Sequence, residues 1–298
     1  LEAAQLREDT LDHCLFAGPP GLGKTTLSNI ISMEMGSHLH ITSGPVLDKP
    51  SDLAGLLTSL ERGDVLFIDE IHRLPRIVEE YLYSAMEDFR LDIMLESGPT
   101  AKSVNLPIQA FTLVGATTRA GMLSHPLRER FGLQFRLNHY NHQELQQIIS
   151  RSSQLLEIEL DTEAAKLLSS RCRGTPRIAN RILKRCRDVA QVRGNGIITT
   201  DVAQRSLKMI GIDHCGLDEM DRRILDCIIK KFGGGPVGLN TIATAIAEES
   251  DTIEEVYEPY LIQTGFIKRS PKGRIATASS YRHLGLDIPK EGLQENLF

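Results

Sequence analysis

The sequence has no apolar run long enough to cross a bilayer, no C-x-x-C pair among its cysteines and no excess of positive charge. Each absence removes a class of protein. A membrane-spanning helix needs about 20 mostly apolar residues in succession, so integral helical membrane folds drop out. The five cysteines, Cys14, Cys172, Cys186, Cys215 and Cys227, match no zinc-ligand spacing, and they are expected to be reduced, partly buried thiols of a cytoplasmic protein. His13-Cys14 and His214-Cys215 are adjacent pairs, but neither has a second pair close by in sequence to complete a metal site. With a formal net charge of −5, the chain is no basic blanket for nucleic acid; any such binding must come from a local patch or from several copies around a channel. Internal repeats and low-complexity tracts are also lacking. The opening "LEAAQLREDTLDH" has neither an initiator Met nor a basic-then-apolar leader, and reads as an amphipathic helix entered midway, with upstream residues expected to precede it.

What remains is an ordinary globular composition, 41% hydrophobic and 24% charged over 298 residues, enough for two or three cores. The expected fold class is α/β. Residues 1–140 alternate short apolar strands with helices, as a parallel sheet covered on both faces requires; the candidate strands are 15–17, 39–42, 65–68 and 111–116. Residues 141–212 switch to a helical period and are expected to form a small helical lid. In 213–298 the amphipathic "DEMDRRILDCIIKKF", two shorter helices and the hairpin pattern "FIKRSPKGRIAT" predict a winged helix.

Chemistry concentrates at the strand ends. "GPPGLGKTT", residues 18–26, fits G-x-x-x-x-G-K-[ST] between a strand and a helix. There Gly21 and Gly23 turn backbone N–H groups around phosphate oxygens, Lys24 reaches the outer phosphates, Thr25 can ligate Mg2+, and Thr26 follows in the first helical turn. "DVLFIDEIH" ends a buried strand in two carboxylates. Asp69 is suited to hold Mg2+ and Glu70 to orient or deprotonate a water; the plain alternative is that both cap the next turn. "FTLVGATTR" ends in Thr117 and Thr118, either of which could face a terminal phosphate as a sensor, and strand alternation allows one of them inward, Thr118 being favoured.

Three further stretches carry charge or exposed apolar pattern. "HPLRERFG" follows the sensor strand at what should be the outer edge of its domain, where a guanidinium reaches a neighbouring subunit's phosphates more easily than its own. Arg130 is therefore expected to be an arginine finger acting in trans, with Arg128 either paired locally or supporting the interface. Between about residues 90 and 109, alternating Leu91, Ile93 and Leu95, a Ser-Gly-Pro turn, then Val104, Leu106 and Ile108 predict a β-hairpin insertion, which the pattern alone leaves either packed on its own sheet or offered to a partner. In the wing, Lys268, Arg269, Lys272 and Arg274 crowd a short turn after the acidic "AEESDTIEEVYE", a separation of sign expected to concentrate positive potential for DNA phosphates.

In order, the phosphate loop, "FIDE", "GATT", "LRERFG" and "GTPRIANR" resemble the AAA+ ATPases. "SGPVLDKPSDLAGLLTSL", "AMEDFRLDIML", "GATTRAG", "PLRERFG" and "GGPVGL" are similar to segments of the RuvB family within them. The resemblance runs from the first helix into the winged helix. It implies an ATP- and Mg2+-dependent motor that moves Holliday junctions in double-stranded DNA during recombination and repair in the bacterial cytoplasm. It also implies a hexameric ring, a RuvA-type junction-binding partner and a RuvC-type resolvase acting on the same junctions. By the same resemblance Glu87, Asp88 and Phe89 form a second edge of the nucleotide site, Tyr140 contacts the base end, and Arg177 is the lid arginine that reaches the phosphates. Arg269 and Arg274 would contact DNA, and Leu91 and Ile93 would dock the RuvA-type partner. A clamp-loader-like or protein-remodelling ATPase, and a nucleotide-gated winged-helix DNA-binding protein, are the competing functions.

Overall fold

The computed structural model describes residues 1–94 and 103–289. The chain divides into two compact units, Leu1–Asn138 and His139–Phe298.

In the first unit, strands β1 (Cys14–Ala17), β2 (Leu39–Ser43), β3 (Val65–Asp69), β6 (Thr112–Thr117) and β7 (Leu133–Arg136) form one parallel sheet in the order β2-β3-β6-β1-β7. Alternation sorts each central strand onto two faces. Leu15, Leu66, Ile68 and Leu113 join Leu53, Leu57, Val78 and Leu82 in one apolar layer, while Cys14, Phe16, Val65, Phe67, Val114 and Ala116 meet Ile31 in the other. The near-continuous apolar runs of β1, β3 and β6 exist because both faces are covered. Helix Arg76–Asp88 shows the matching period, burying Val78, Leu82, Ala85 and Met86 at spacings of three and four, and each such large side chain contributes ~1.5–3 kcal/mol.

Strand β7 lay outside the sequence expectations. It is an edge strand with a single half-buried residue, Leu133, followed by three exposed ones, so no apolar run announces it. Because β1 is flanked by β6 and β7, the chain winds away from it in both directions, and the carboxyl ends of the strands at such a point are where open parallel sheets bind ligands. Gly18, Asp69 and Thr117 arrive there together.

β4 (Arg90–Met94) and β5 (Ser103–Pro107) pair antiparallel as the expected hairpin, with Leu91 opposite Leu106 and Ile93 opposite Val104. Leu95, Glu96 and the Ser-Gly-Pro turn lie outside the described residues.

The second unit holds two cores. Helices His142–Leu155, Thr162–Ser169, Pro176–Arg193 and Thr200–Met209 enclose Leu145, Ile149, Leu168, Ile182, Leu183 and Leu207. The other core packs Leu225, Ile228, Ile242, Leu261 and Ile267 between helix Glu219–Asp226, helix Leu239–Ile246, helix Glu258–Gln263 and the hairpin of β8 (Ile267–Ser270) and β9 (Gly273–Ala276). A short last helix, Ala278–His283, was absent from the sequence reading; it is one and a half turns long and its composition is mostly polar.

Candidate functional site

The loop after β1 turns into helix Lys24–Met35 through Gly23, whose φ of +94° closes the turn in a region that favours glycine. Lys24 follows, nearly buried, and donates to the carbonyls of Gly18 at 2.8 Å and Pro19 at 2.9 Å. Its charge is thereby held across the mouth of the loop. Thr25 and Thr26 are exposed in the first helical turn, where unpaired N–H groups and the helix dipole favour an anion.

Asp69 is the last residue of β3, level with Ser43 of β2. Its Oδ1 accepts the N–H of Glu70 at 3.0 Å. Glu70 sits in the left-handed region at φ 48° and bonds Arg73 at 3.2 Å. A non-glycine residue held there stores ~1–3 kcal/mol, a pattern concentrated at functional sites. Asp64, at the other end of the same strand, is a structural acid. Burial pushes its carboxyl up, but hydrogen bonds from the Glu61 N–H, the His40 ring and the His38 N–H prevail and leave it below the usual carboxylate range.

At the tip of β6 the side chain of Thr117 is buried, with its Oγ1 3.0 Å from His72 Nδ1, and it accepts the Arg119 N–H at 3.0 Å. Thr118 is half-buried, one residue beyond the strand. His72, three residues after Asp69, thus ties the tip of β6 to the turn that follows β3. Sequence reasoning missed it, although it closes the quoted "DVLFIDEIH".

Arg130 is gripped within its own chain. Its guanidinium donates to Glu87 at 2.9 Å and to the Pro126 carbonyl at 2.8 Å, and lies 4.6 Å from the centroid of the Tyr83 ring. Glu87 and Asp88 are exposed, while the Phe89 ring meets Phe111 and His13, the residues that precede β6 and β1. Glu87, Asp88, Phe89 and Arg130 therefore gather at the amino ends of the strands, opposite Lys24, Asp69 and Glu70. Arg128 is exposed and donates to Gln134 at 3.3 Å. Oxygen donors at Thr25 and Asp69 suit a hard divalent cation, and the glycine turn with its lysine suits a phosphate chain.

In the second unit the Tyr140 N–H donates to Gly174 at 2.9 Å, and Arg177 is exposed in the first turn of helix Pro176–Arg193.

Two expectations are corrected by the geometry. Leu91 is 0% exposed in the domain core with Leu106 packed beside it, because strand alternation at the base of the hairpin turns it inward; it is no docking side chain. Among the described side chains of that hairpin, Val104 is an exposed large apolar one. Of Ile93 only the backbone pairing with Val104 is described. In the wing, Arg274 is buried and holds Glu258 through Nε at 3.1 Å and Nη2 at 2.8 Å. Arg269, its cross-strand neighbour, keeps its side chain 58% exposed while pairing with Glu254 at 3.0 Å. The acidic helix thus neutralises part of the wing, and Lys268, Lys272 and Arg269 make up its outer charge.

The fold also brings His283 to His214-Cys215, with donor atoms within 4.8 Å of one another. His283 is bonded to Asp213 at 2.9 Å and stacks on His214, and Arg171, Lys208 and Arg222 line the adjoining cleft of about 480 Å³. That cationic lining disfavours a metal ion there, and the cluster is a histidine stack hydrogen-bonded to Asp213.

Residues 1–137 match the family model described as the Holliday junction DNA helicase RuvB P-loop domain. Residues 140–213 match the RuvB AAA lid domain and 214–285 the RuvB C-terminal winged helix domain. A protein of Flavobacterium psychrophilum named Holliday junction branch migration complex subunit RuvB is 60% identical over 298 residues, 100% of this chain and 87% of that protein. One of the same name from Kosmotoga olearia is 59% identical over 286 residues, 96% of this chain and 84% of that protein. Among solved structures, the Thermotoga maritima RuvB Holliday junction branch migration motor is 53% identical, with a TM-score of 0.89, over 97% of this chain and 92% of that one.

Proposed function

This chain belongs to the RuvB family, and on that premise we propose that it is an ATP-driven translocase of double-stranded DNA. It moves Holliday junctions with a RuvA-type partner in the bacterial cytoplasm, upstream of a RuvC-type resolvase. One observation supports the reading: Lys24 and Asp69 lie at the carboxyl ends of the sheet strands, and Arg130 with Glu87 and Phe89 lies at their amino ends. A single chain then cannot complete the site, whereas a ring can, each subunit offering Arg130 with Glu87, Asp88 and Phe89 to the phosphate loop of the next. The ring is taken to be a hexamer.

Within one site, the N–H groups around Gly21 and Gly23 and the start of the following helix cradle phosphate oxygens, with Lys24 and Thr26 beside them. Thr25 and Asp69 are the residues that would hold Mg2+. Bound there, the metal and nucleotide supply a phosphoanhydride with part of its charge offset. Glu70 orients the attacking water, Thr118 at the strand tip reads the terminal phosphate, and Arg130 of the neighbour meets the charge that develops on it. Tyr140 is assigned to the base end of the nucleotide and Arg177 to its phosphates, so that departure of the phosphate would remove a contact of Arg177. The wing follows DNA by phosphate contacts from Arg269, Lys268 and Lys272, with Arg274 shaping the hairpin beneath them.

The test is the ATPase rate with and without duplex DNA, paired with migration of a four-way junction in the presence of a RuvA-type protein. Stimulation by DNA together with migration is expected. Hydrolysis that responds to a protein client and not to DNA would favour the remodelling alternative, and DNA binding without hydrolysis the regulator alternative.

A further inference from the structure

We propose that Arg173 is a positioning residue that passes movement of the lid's nucleotide-sensing turn to the winged helix through a buried arginine–carboxylate pair. The inference rests on the assignment of Tyr140 and Arg177 to the nucleotide site.

Five consecutive residues, Arg173 to Arg177, make contacts in two directions. Towards the lid, the Gly174 carbonyl accepts the Tyr140 N–H at 2.9 Å. A Cβ at position 174 would stand 2.5 Å from that of His139, so the turn and the Tyr140 segment are locked in close approach. Thr175 then leads into helix Pro176–Arg193, which carries Arg177. Towards the winged helix, the Arg173 side chain is only 8% exposed; Nη2 bonds Asp221 and lies 3.0 Å from Asp218, and Nε donates to the Gly216 carbonyl at 2.9 Å. Its guanidinium lies 5.1 Å from the centroid of the Tyr260 ring, whose hydroxyl donates to the Cys215 carbonyl at 2.7 Å.

Those two aspartates also begin the first helix of the winged domain. Asp218 accepts the Asp221 N–H at 3.1 Å and Asp221 accepts the Asp218 N–H at 2.8 Å, so Arg173 holds the capping box itself. Asp221 is fully buried and its Oδ1 has no hydrogen-bond partner among the described residues. Burial pushes its carboxyl up to about 7 against the pull of Arg173, and the guanidinium is the positive charge that offsets a carboxylate placed there. Arg173 itself is a non-glycine residue at φ 52°, a conformation that persists only where the surroundings over-determine it. A planar fork fixed at three acceptors transmits rotation as well as translation; an ammonium at the same place is a point charge free to pivot.

A purely structural tie would make the same contacts, so the test separates stability from coupling. R173K keeps the charge and loses the fork. The double variant R173M/D221L replaces the pair with apolar side chains, a change that buried ion pairs often tolerate without loss of stability. Full-length protein is assembled with DNA and a RuvA-type partner, and three quantities are read: melting temperature, DNA-free ATPase rate, and base pairs migrated per ATP. The expected result is DNA-free hydrolysis within about twofold of the parent, with migration per ATP lowered about tenfold or more. In parallel, a non-hydrolysable ATP analogue should change hydrogen exchange over residues 219–226 in the parent and leave it unchanged in the variants. If either folded variant migrates junctions at the parental yield per ATP, or its 219–226 segment still responds to the analogue, the inference is overturned. A parent that hydrolyses ATP but fails to migrate junctions overturns the functional reading instead, and the exchange measurement still decides for or against Arg173.

Discussion

The guanidinium of Arg130 donates to the carboxylate of Glu87 at 2.9 Å within one chain, at the end of the sheet away from the phosphate loop. A part-exposed pair of this kind contributes less than about 1 kcal/mol to folding. E87Q should therefore melt close to the parent. R130A should lower hydrolysis by assembled protein about 10³-fold, the scale of an arginine finger supplied in trans. Thermal melts and steady-state ATPase rates check the two halves; a large loss of stability in E87Q would assign the pair to the fold.

The two threonines at the tip of β6 should separate cleanly. T117V removes a buried hydroxyl from His72 Nδ1 and the Arg119 N–H, and is expected to cost ~1–3 kcal/mol of stability. T118V, half-buried and beyond the strand, should melt within ~0.5 kcal/mol of the parent and lower hydrolysis about 10²-fold, as removal of one charge-stabilising group does. The opposite pattern in melts and rates would move the sensor to Thr117.

At the hairpin, L91A is expected to lose ~2–5 kcal/mol, because Leu91 is core. V104D should keep the parental melting point and lose binding to a RuvA-type protein in a pull-down or by calorimetry. Binding that survives V104D would place the docking surface elsewhere.

The wing arginines differ in burial, and so should their variants. R274A leaves Glu258 buried without its partner and is expected to cost ~3–5 kcal/mol. R269A should cost less than about 1 kcal/mol while the slope of log affinity against log salt for duplex DNA falls by about one. An unchanged slope in R269A would remove it from the contact.

The sequence made some of this plain and hid the rest for physical reasons. Continuous apolar runs announced β1, β3 and β6, since strands covered on both faces have nowhere to put polar residues. β7, with one half-buried residue, and the polar helix Ala278–His283 had no such signal. Lys24, Asp69 and Glu70 stood out because phosphate and metal chemistry constrains residue type at fixed spacing, and the fold sets them at the carboxyl ends of β1 and β3. Long-range pairings were not: Arg173 meets Asp221 across 48 positions, and nothing local to either residue marks the other. Burial within a strand was the remaining gap. Alternation predicts that one of two neighbours points inward, but which one depends on what packs above the sheet, and that decided Leu91, Thr117 and Arg274.

The claim on which the account turns is that each hydrolytic site is shared by two subunits. Its most direct test is to co-assemble K24A subunits, which lack the phosphate-binding half, with R130A subunits, which lack the arginine, and to measure DNA-stimulated ATP hydrolysis. Each variant alone should be nearly inactive, and the mixture should recover activity at interfaces where an R130A subunit's phosphate loop meets Arg130 of a K24A neighbour. Normal hydrolysis by R130A alone, or a mixture no more active than its components, would contradict it.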